Sequence, residues 1–492
     1  MSMTIRELFA GIDCTIIGNA GCEVSGLQYR SDQCKTGDVF FCIVGMTVDG
    51  HSFAQDAIDH GAKVLVVERK VYLADATDVT EVVVSDSRKA MAAAAANFYG
   101  HPSQDLSLVG ITGTNGKTTT TYLVEHIARA AGKKTGVIGT VGVKVGDVME
   151  ASARTTPESS DLQGIFARMR DAACDVVAME VSSHALDLER TWATKFAVTA
   201  FSNLTQDHLD YHKTFEAYFE AKALLFSASY PAKRVICIDD EWGAELLRRC
   251  SAAGDEVLST GFETSAQIHP LSVSYAATHT SLELDVRGET YAFDYPLVGR
   301  FNVSNVMLAF GICLALGIPA NAVVSALESA PQVPGRLQRV DGQEGQPVVF
   351  VDYAHTPDAL EKAIASVKAL TPGQTIVVFG CGGDRDASKR PIMGQAALSA
   401  DYAVVTSDNP RTEDPNAIID AIIAGMTEAP NRFMVEPDRQ SAIATAIARA
   451  GSDDSILVAG KGHEDYQIIG TETRHFSDAE VIAEELAKAA QA

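Results

Sequence analysis

Lys117, Thr118 and Thr119 follow a short glycine loop, Gly113-Thr114-Asn115-Gly116. That order suits the binding of phosphate. Backbone N–H groups of a glycine turn, with a helix N-terminus behind them, point at an anion. The lysine adds a point charge on the terminal phosphates, and the first threonine offers a hydroxyl to Mg²⁺. The spacing departs from G-x-x-x-x-G-K-[ST]: Ile111 stands at the first glycine position, and the loop reads G-x-x-G-K-T. An ordinary glycine turn is the alternative. Against it stands the order of the surroundings, an apolar β-type run at 108–111 before the loop and a helix-prone segment at 122–131 after it.

A second buried-type run, Val176-Val-Ala-Met-Glu180, leads into Ser182-Ser183-His184. In a doubly wound sheet ligands sit at the carboxyl ends of the strands, which makes Glu180 a candidate Mg²⁺ ligand or water-orienting group. A polar strand end is the plainer reading. His208 and His212 stand at i,i+4 and share a helical face, but Leu209 follows the first histidine where a zinc protease needs glutamate, so that class is excluded. Taken alone, His208 reads as a core or capping histidine. Lys222, in the helical run 215–226, reads alone as a surface lysine with its stem packed down.

In the last third, runs at 348–351, 375–379, 401–406 and 455–459 read as strands. They lead into Asp352-Tyr-Ala-His355, Gly380-Cys-Gly-Gly-Asp-Arg385, Ser407-Asp-Asn-Pro-Arg411 and Gly460-Lys-Gly-His-Glu464. In an open α/β sheet those loops fall on one edge. Arg385 and Arg411 can each take a carboxylate bidentately there, with surface ion pairing as the alternative. The second loop is no dinucleotide fingerprint, because Arg385 occupies the third glycine position.

Positioning these loops takes more than one core. At 492 residues, two to four domains are expected. Alternating β-type and helical runs predict an α/β fold with units at 1–105, 106–332 and 333–492. Gly100-His-Pro102 stops a helix ahead of the first boundary, and the Pro/Gly-rich 331–336 marks the second. A net charge of −24 argues against nucleic acid or an anionic membrane as partner. It also requires that basic residues be gathered at any nucleotide site. Nine cysteines without a C-x-x-C pair read as reduced thiols. With no signal pattern and no run of membrane-span length, a cytoplasmic protein is expected.

Several of these stretches, in this order, resemble the ATP-dependent Mur ligase family over nearly the whole chain. They are Gly113 to Thr119, Thr155-Thr156-Pro157, Glu180 to His184, Asn203 to His208, the segment holding Lys222, Gly299 to Asn302, Pro334-Gly335-Arg336, Asp352 to His355 and Lys461 to Glu464. The resemblance implies a small N-terminal α/β domain holding a uridine nucleotide through Ser31, Met46, Thr47 and Val48. A central P-loop-type ATPase domain and a C-terminal Rossmann-like domain would follow, the last holding an amino acid. Gly113, Thr114, Asn115, Gly116, Lys117, Thr118 and Thr119 would bind ATP, with Asn302, Arg336 and Asp352 also contacting it. Mg²⁺ would sit on Thr118 and Glu180, and a second ion near His208 and Lys222, a lysine that family members carbamylate. Thr155, Thr156, Ser182 and Arg190 would face a muramoyl peptide.

Asp408, Asn409, Pro410 and Arg411 resemble the form found in members that add meso-diaminopimelate; L-lysine members usually lack that arginine. Arg385, Gly460 and Glu464 would complete the site. The implied reaction is ATP-dependent addition of meso-diaminopimelate to UDP-MurNAc-L-Ala-D-Glu through an acyl phosphate, in peptidoglycan precursor synthesis, by a monomer. Lys117, Glu180, His208 and Lys222 would carry the chemistry. Two positions depart from the family: Arg30-Ser31-Asp32 replaces the usual Asp-Ser-Arg, and Leu188 stands where glutamine is common. The alternatives are the L-lysine form, a folylpolyglutamate synthetase, which would not need the first unit, and a nucleotide-driven switch, which leaves Asp408 to Arg411 unexplained.

Overall fold

The computed structural model describes residues 2–73 and 78–490; positions 74–77 of the first expected domain lie outside the described residues. Three sheets with flanking helices make up the predicted α/β architecture. The chain divides into two compact units. One runs through His269 and takes in Ser304–Ala326; the other holds Pro270–Val303 and everything from Leu327 onward.

The first unit carries two of the sheets. In the N-terminal one, β1 (Cys14–Ile17), β2 (Gly26–Gln28), β3 (Asp38–Phe41), β4 (Val64–Val67) and β5 (Thr80–Val84) lie in the order β1-β5-β4-β3-β2. Only the β1–β5 pair is antiparallel. β3 and β4 are buried along their whole length, as parallel strands covered on both faces must be. Phe40 and Leu65 pack toward the helix Ala54–Asp59, while Val39, Phe41, Val64 and Val66 pack toward the Ala-rich helix Ser87–Phe98.

The second sheet contains β6 (Ser107–Thr112), β7 (Thr135–Ile138), β8 (Val143–Val145), β9 (Val148–Glu150), β10 (Val176–Glu180), β11 (Val198–Phe201), β12 (Lys233–Cys237) and β13 (Val257–Thr260). These run in the order β9-β8-β7-β10-β6-β11-β12-β13. The strands from β7 to β13 are parallel, with β8 and β9 added antiparallel at one side. β6 sits between β10 and β11, and the register pairs Ile111 with both Glu180 and Ala200. The three strands therefore end level, and the loops that follow them converge. The helix after β6 begins at Lys117, five residues earlier than its apolar pattern suggests, because the four threonines at its start are buried.

The other unit holds the hairpin of β14 (Thr280–Val286) and β15 (Glu289–Tyr295) and a third sheet. That sheet is built from β16 (Gln338–Val340), β17 (Val348–Asp352), β18 (Thr375–Phe379), β19 (Tyr402–Val405), β20 (Phe433–Val435) and β21 (Ser455–Ala459), ordered β16-β17-β21-β18-β19-β20. All neighbours are parallel except β16–β17. Alternate residues of β17 and β18 feed two separate cores, one on each face. A terminal hairpin, β22 (Tyr466–Ile469) with β23 (Glu472–His475), precedes the last helix, Asp478–Ala489. Among the described residues no helix is long and apolar enough to cross a membrane.

Two readings of single residues are corrected. Lys222 is no surface lysine: it is 1% exposed in the helix Phe215–Ala223. His208 does not share a helix face with His212. It precedes the short helix Leu209–His212, in a left-handed conformation with φ of 52°.

Candidate active site

In the first unit the site grows from the end of β6. Gly113 has φ of +146°, and a Cβ there would lie 1.9 Å from the Ser202 hydroxyl oxygen that follows β11. Gly116 has φ of +86°, and its Cβ would meet Asn305 Oδ1 at 2.2 Å. Both positions exclude larger residues by backbone conformation and by close approach. The loop is further held by Asn203, whose carbonyl accepts from Thr114 N–H and whose side chain accepts from Asn115 N–H, both at 2.9 Å. Lys117 bends back over the loop, and its Nζ donates to the carbonyls of Gly113 and Thr114 at 2.9 Å each. Loop amides, a long helix starting at Lys117 and this ammonium together form an anion cradle.

Glu180, 1% exposed at the end of β10, is the hub beside it. Thr118 Oγ1 donates to its two oxygens at 3.0 and 3.1 Å. Thr140, after β7, donates through its backbone N–H at 2.8 Å and through its hydroxyl at 3.2 Å. Thr140 in turn bonds the Thr155 hydroxyl at 3.1 Å. Thr156 donates to the Glu180 carbonyl and accepts from Ser182 N–H. Hence Thr118, Thr155, Thr156, Glu180 and Ser182, scattered over 65 positions of sequence, make one bonded network. Thr140 escaped sequence reading, although a Gly-Thr pair after a strand on the same sheet edge was the available signal.

A hydroxyl and a carboxylate are hard oxygen donors, the kind Mg²⁺ takes when a nucleotide supplies its other ligands. Among the described residues no group of three or more His, Cys, Asp or Glu side chains could hold a metal alone. Lys222 lies behind the loop. Its Nζ donates to the Gly113 carbonyl at 2.8 Å and stands 4.4 Å from the centre of the Tyr218 ring. Burial, helped by the charge of Lys117, pushes its amine well below the ordinary lysine range. The rings of His208 and His212 lie 4.8 and 5.5 Å from that of His184. Burial holds all three imidazoles below their usual range.

Arg190 approaches from the other side, donating to the Thr156 carbonyl at 3.2 Å and pairing with Glu158 at 3.0 Å. Arg154 and Arg88 pair with the same carboxylate. Three guanidinium groups thus surround one acid, a local excess of positive charge in an acidic chain. A cleft of about 510 Å³ adjoins them, lined among others by Tyr29, Arg30, Arg154 and Arg168. Ser31 is buried at the start of a short 3₁₀ turn, while Arg30 and Asp32, exchanged relative to the family, pair with each other at 2.8 Å. Met46 and Val48 are exposed on a turn closed by Gly45 N–H to the Val48 carbonyl, with Thr47 between them. Leu188 only ends the short helix Ser183–Asp187.

The other unit is described by itself. Asn302 donates to the Val298 carbonyl at 2.8 Å near the start of its helix. Arg336 lies over the Tyr353 ring, 5.1 Å from its centre, and Asp352 accepts from the N–H groups of Leu337 and Ala354. Around β18, β19 and β21, Asn409 donates to Glu464 at 2.9 Å, and the fully buried Lys461 stands 3.6 Å from Asp408 and 3.5 Å from Glu464. Arg411 donates to the Gly383 carbonyl at 2.7 Å. A Cβ on Gly382 would touch both Arg411 and Arg385, so the two guanidinium side chains flank one point. Gly460, with φ of +113°, turns the chain beside Asp408.

The chain belongs to the Mur ligase family. Three family models match it: the Mur ligase family, catalytic domain, over residues 23–99; the Mur ligase middle domain over 111–313; and the Mur ligase, glutamate ligase domain, over 335–462. A protein of Clostridium botulinum named UDP-N-acetylmuramoyl-L-alanyl-D-glutamate--2,6-diaminopimelate ligase is 42% identical over 485 residues, 98% of this chain and 99% of that protein. One of the same name from Geobacillus kaustophilus is 44% identical over 467 residues, covering 93% and 94%. A solved structure of a ligase of that name superposes with a TM-score of 0.72 at 30% identity, covering all of both chains.

Proposed function

We propose that this chain is the ATP-dependent ligase that joins meso-diaminopimelate to the D-glutamyl carboxylate of UDP-MurNAc-L-Ala-D-Glu, in the synthesis of peptidoglycan precursors. One observation carries the reading: Glu180 is bonded to the phosphate-loop helix through Thr118 and to Thr155 through Thr140. The nucleotide side and the acceptor side of a ligation thus meet on one carboxylate.

The γ-phosphoryl group passes to the D-glutamyl carboxylate, ADP leaves, and the neutral amine of the amino acid attacks the acyl phosphate. Phosphate departs, the nitrogen loses its proton, and an amide remains. Gly113 to Thr119 cradle the phosphates, with Lys117 offsetting the charge gathered in the transfer, where positioning and electrostatics supply most of the rate. Asn302, Arg336 and Asp352 contact ATP. Thr118 and Glu180 would hold one Mg²⁺, and His208 with Lys222 as a carbamate would hold a second; when bound, these ions would supply charge neutralisation on the phosphoryl group. Lys222 fits that role only as a carbamate, since an ammonium ion repels a cation.

Thr155, Thr156, Ser182 and Arg190 orient the muramoyl peptide. Ser31, Met46, Thr47 and Val48 hold the uridine end. Arg385 and Arg411 bind the second carboxylate of the diamino acid, with Asp408, Asn409, Pro410, Gly460 and Glu464 completing the site; Glu464 takes an ammonium group. Domains at 1–105, 106–332 and 333–492 divide these tasks within a cytoplasmic monomer.

The test incubates the protein with ATP, Mg²⁺ and UDP-MurNAc-L-Ala-D-Glu, together with meso-diaminopimelate or L-lysine, and weighs the products. Tripeptide formed with diaminopimelate supports the reading. Product with lysine alone would overturn the role of Arg411, and product with neither would overturn the reaction.

A further inference from the structure

The hairpin β22–β23 lies outside every motif considered so far, yet it fastens the Asp408-Asn409-Pro410-Arg411 loop at four points. The Gln467 side-chain amide donates to the Asp408 carbonyl at 2.8 Å. Ile468 N–H donates to the Asn409 side-chain oxygen at 2.9 Å. Arg411 is clamped on both sides: its N–H donates to the Ile468 carbonyl at 3.1 Å, and its carbonyl accepts from Gly470 N–H at 2.7 Å. Arg411 itself has φ of 51°, the left-handed region that costs a non-glycine residue energy and persists only when its surroundings enforce it. The two backbone bonds supply that enforcement.

Gln467 is 2% exposed and is the centre of the arrangement. Its cross-strand partner Arg474 donates to its side-chain oxygen at 2.6 and 3.2 Å, which turns the amide nitrogen toward Asp408. A buried amide pinned at both ends has one orientation available.

We propose that this hairpin, through Gln467, is the specificity-positioning element of the amino-acid site: it sets the backbone of Arg411 so that the guanidinium meets a second carboxylate. The inference rests on the proposed function. Lysine has no second carboxylate, so loosening the loop penalises diaminopimelate more than lysine. Gln467 is a positioning residue, since it reaches the substrate only through Asp408 and Arg411.

The experiment compares kcat/KM for meso-diaminopimelate with that for L-lysine in the wild type, Gln467→Glu and Arg474→Met. Gln467→Glu keeps the size and the bond from Arg474 but cannot donate to the Asp408 carbonyl. Its selectivity ratio should fall by about tenfold or more, through a raised KM for diaminopimelate, with the KM values for ATP and the uridine substrate unchanged. Arg474→Met, at an exposed position, should move the ratio in the same direction by less. A purely structural role would lower both rates together and leave the ratio fixed. A fixed ratio in either folded variant overturns the hairpin's role while the proposed function stands; a wild-type protein that ligates neither amino acid overturns both.

Discussion

Lys222 and Lys117 donate to the same oxygen, the carbonyl of Gly113, at 2.8 and 2.9 Å. Among the described residues Lys222 forms no ion pair with a carboxylate, and it is buried. Burial, and with it the mutual repulsion of two ammonium groups on one acceptor, lowers the Lys222 amine well below the ordinary lysine range. A neutral amine adds CO₂, and the resulting carbamate would put an anion behind the phosphate loop where a second cation is needed.

Replacing Lys222 with arginine keeps a charge but takes up no CO₂. Turnover, followed as ADP release, should drop by about 100-fold or more. Carbon-13 NMR after incubation with labelled bicarbonate should show a carbamate carbon in the wild type and none in Lys222→Arg. Wild-type turnover by the variant would remove the carbamate from the mechanism.

Glu180→Gln retains an acceptor for Thr118 and Thr140 but discards the negative charge. The Mg²⁺ concentration needed for half-maximal rate should rise, and kcat should fall by on the order of 100-fold. Initial rates against Mg²⁺ concentration decide this. An unchanged Mg²⁺ dependence would mean that Glu180 serves only to tie the threonines together.

Arg439 and Asp478 form a bidentate pair, both bonds 2.7 Å, with neither side chain exposed. Arg439→Met strands a buried carboxylate and should cost about 3–5 kcal/mol in chemical denaturation. Adding Asp478→Leu should recover most of that loss. Simple additivity of the two losses would show that packing, not charge, dominates the site.

Burial, reinforced by Arg336, lowers the pKa of His463 to about 4. The unfolded imidazole takes its proton near pH 6.5, so between pH 6.5 and 4 the unfolded state binds more protons than the folded one. Stability should therefore be flat above about pH 7 and decline as pH falls through that window, by on the order of 3 kcal/mol at its acid end. His463→Asn should lack this decline. Parallel stability–pH curves for the two proteins would place the titration elsewhere.

Much of the local chemistry was legible along the chain. The phosphate loop, the strand that ends in Glu180 and the four loop-bearing strands of the last third depend on neighbours within a few residues, where turn chemistry and hydrophobic pattern act directly. The same local logic misjudged Lys222, because a lysine in a helical run carries no sign that a carbonyl 109 positions away waits in the core. It passed over Thr140 and Gln467 for the same reason, their partners being 40 and 59 positions distant.

By itself the sequence determined the α/β class, the anion-binding loop and the types of side chain available for phosphate, metal and carboxylate. Only the tertiary structure decided which of them meet. β10 lies between β7 and β6, and β6 between β10 and β11, so Thr118 and Thr140 reach the Glu180 carboxylate while Thr156 bonds the Glu180 carbonyl. Strand order and register follow from the packing of whole cores, and no local spacing encodes them. The clamp on Arg411 is a further case: its strained backbone is held by a hairpin that folds back from beyond β21.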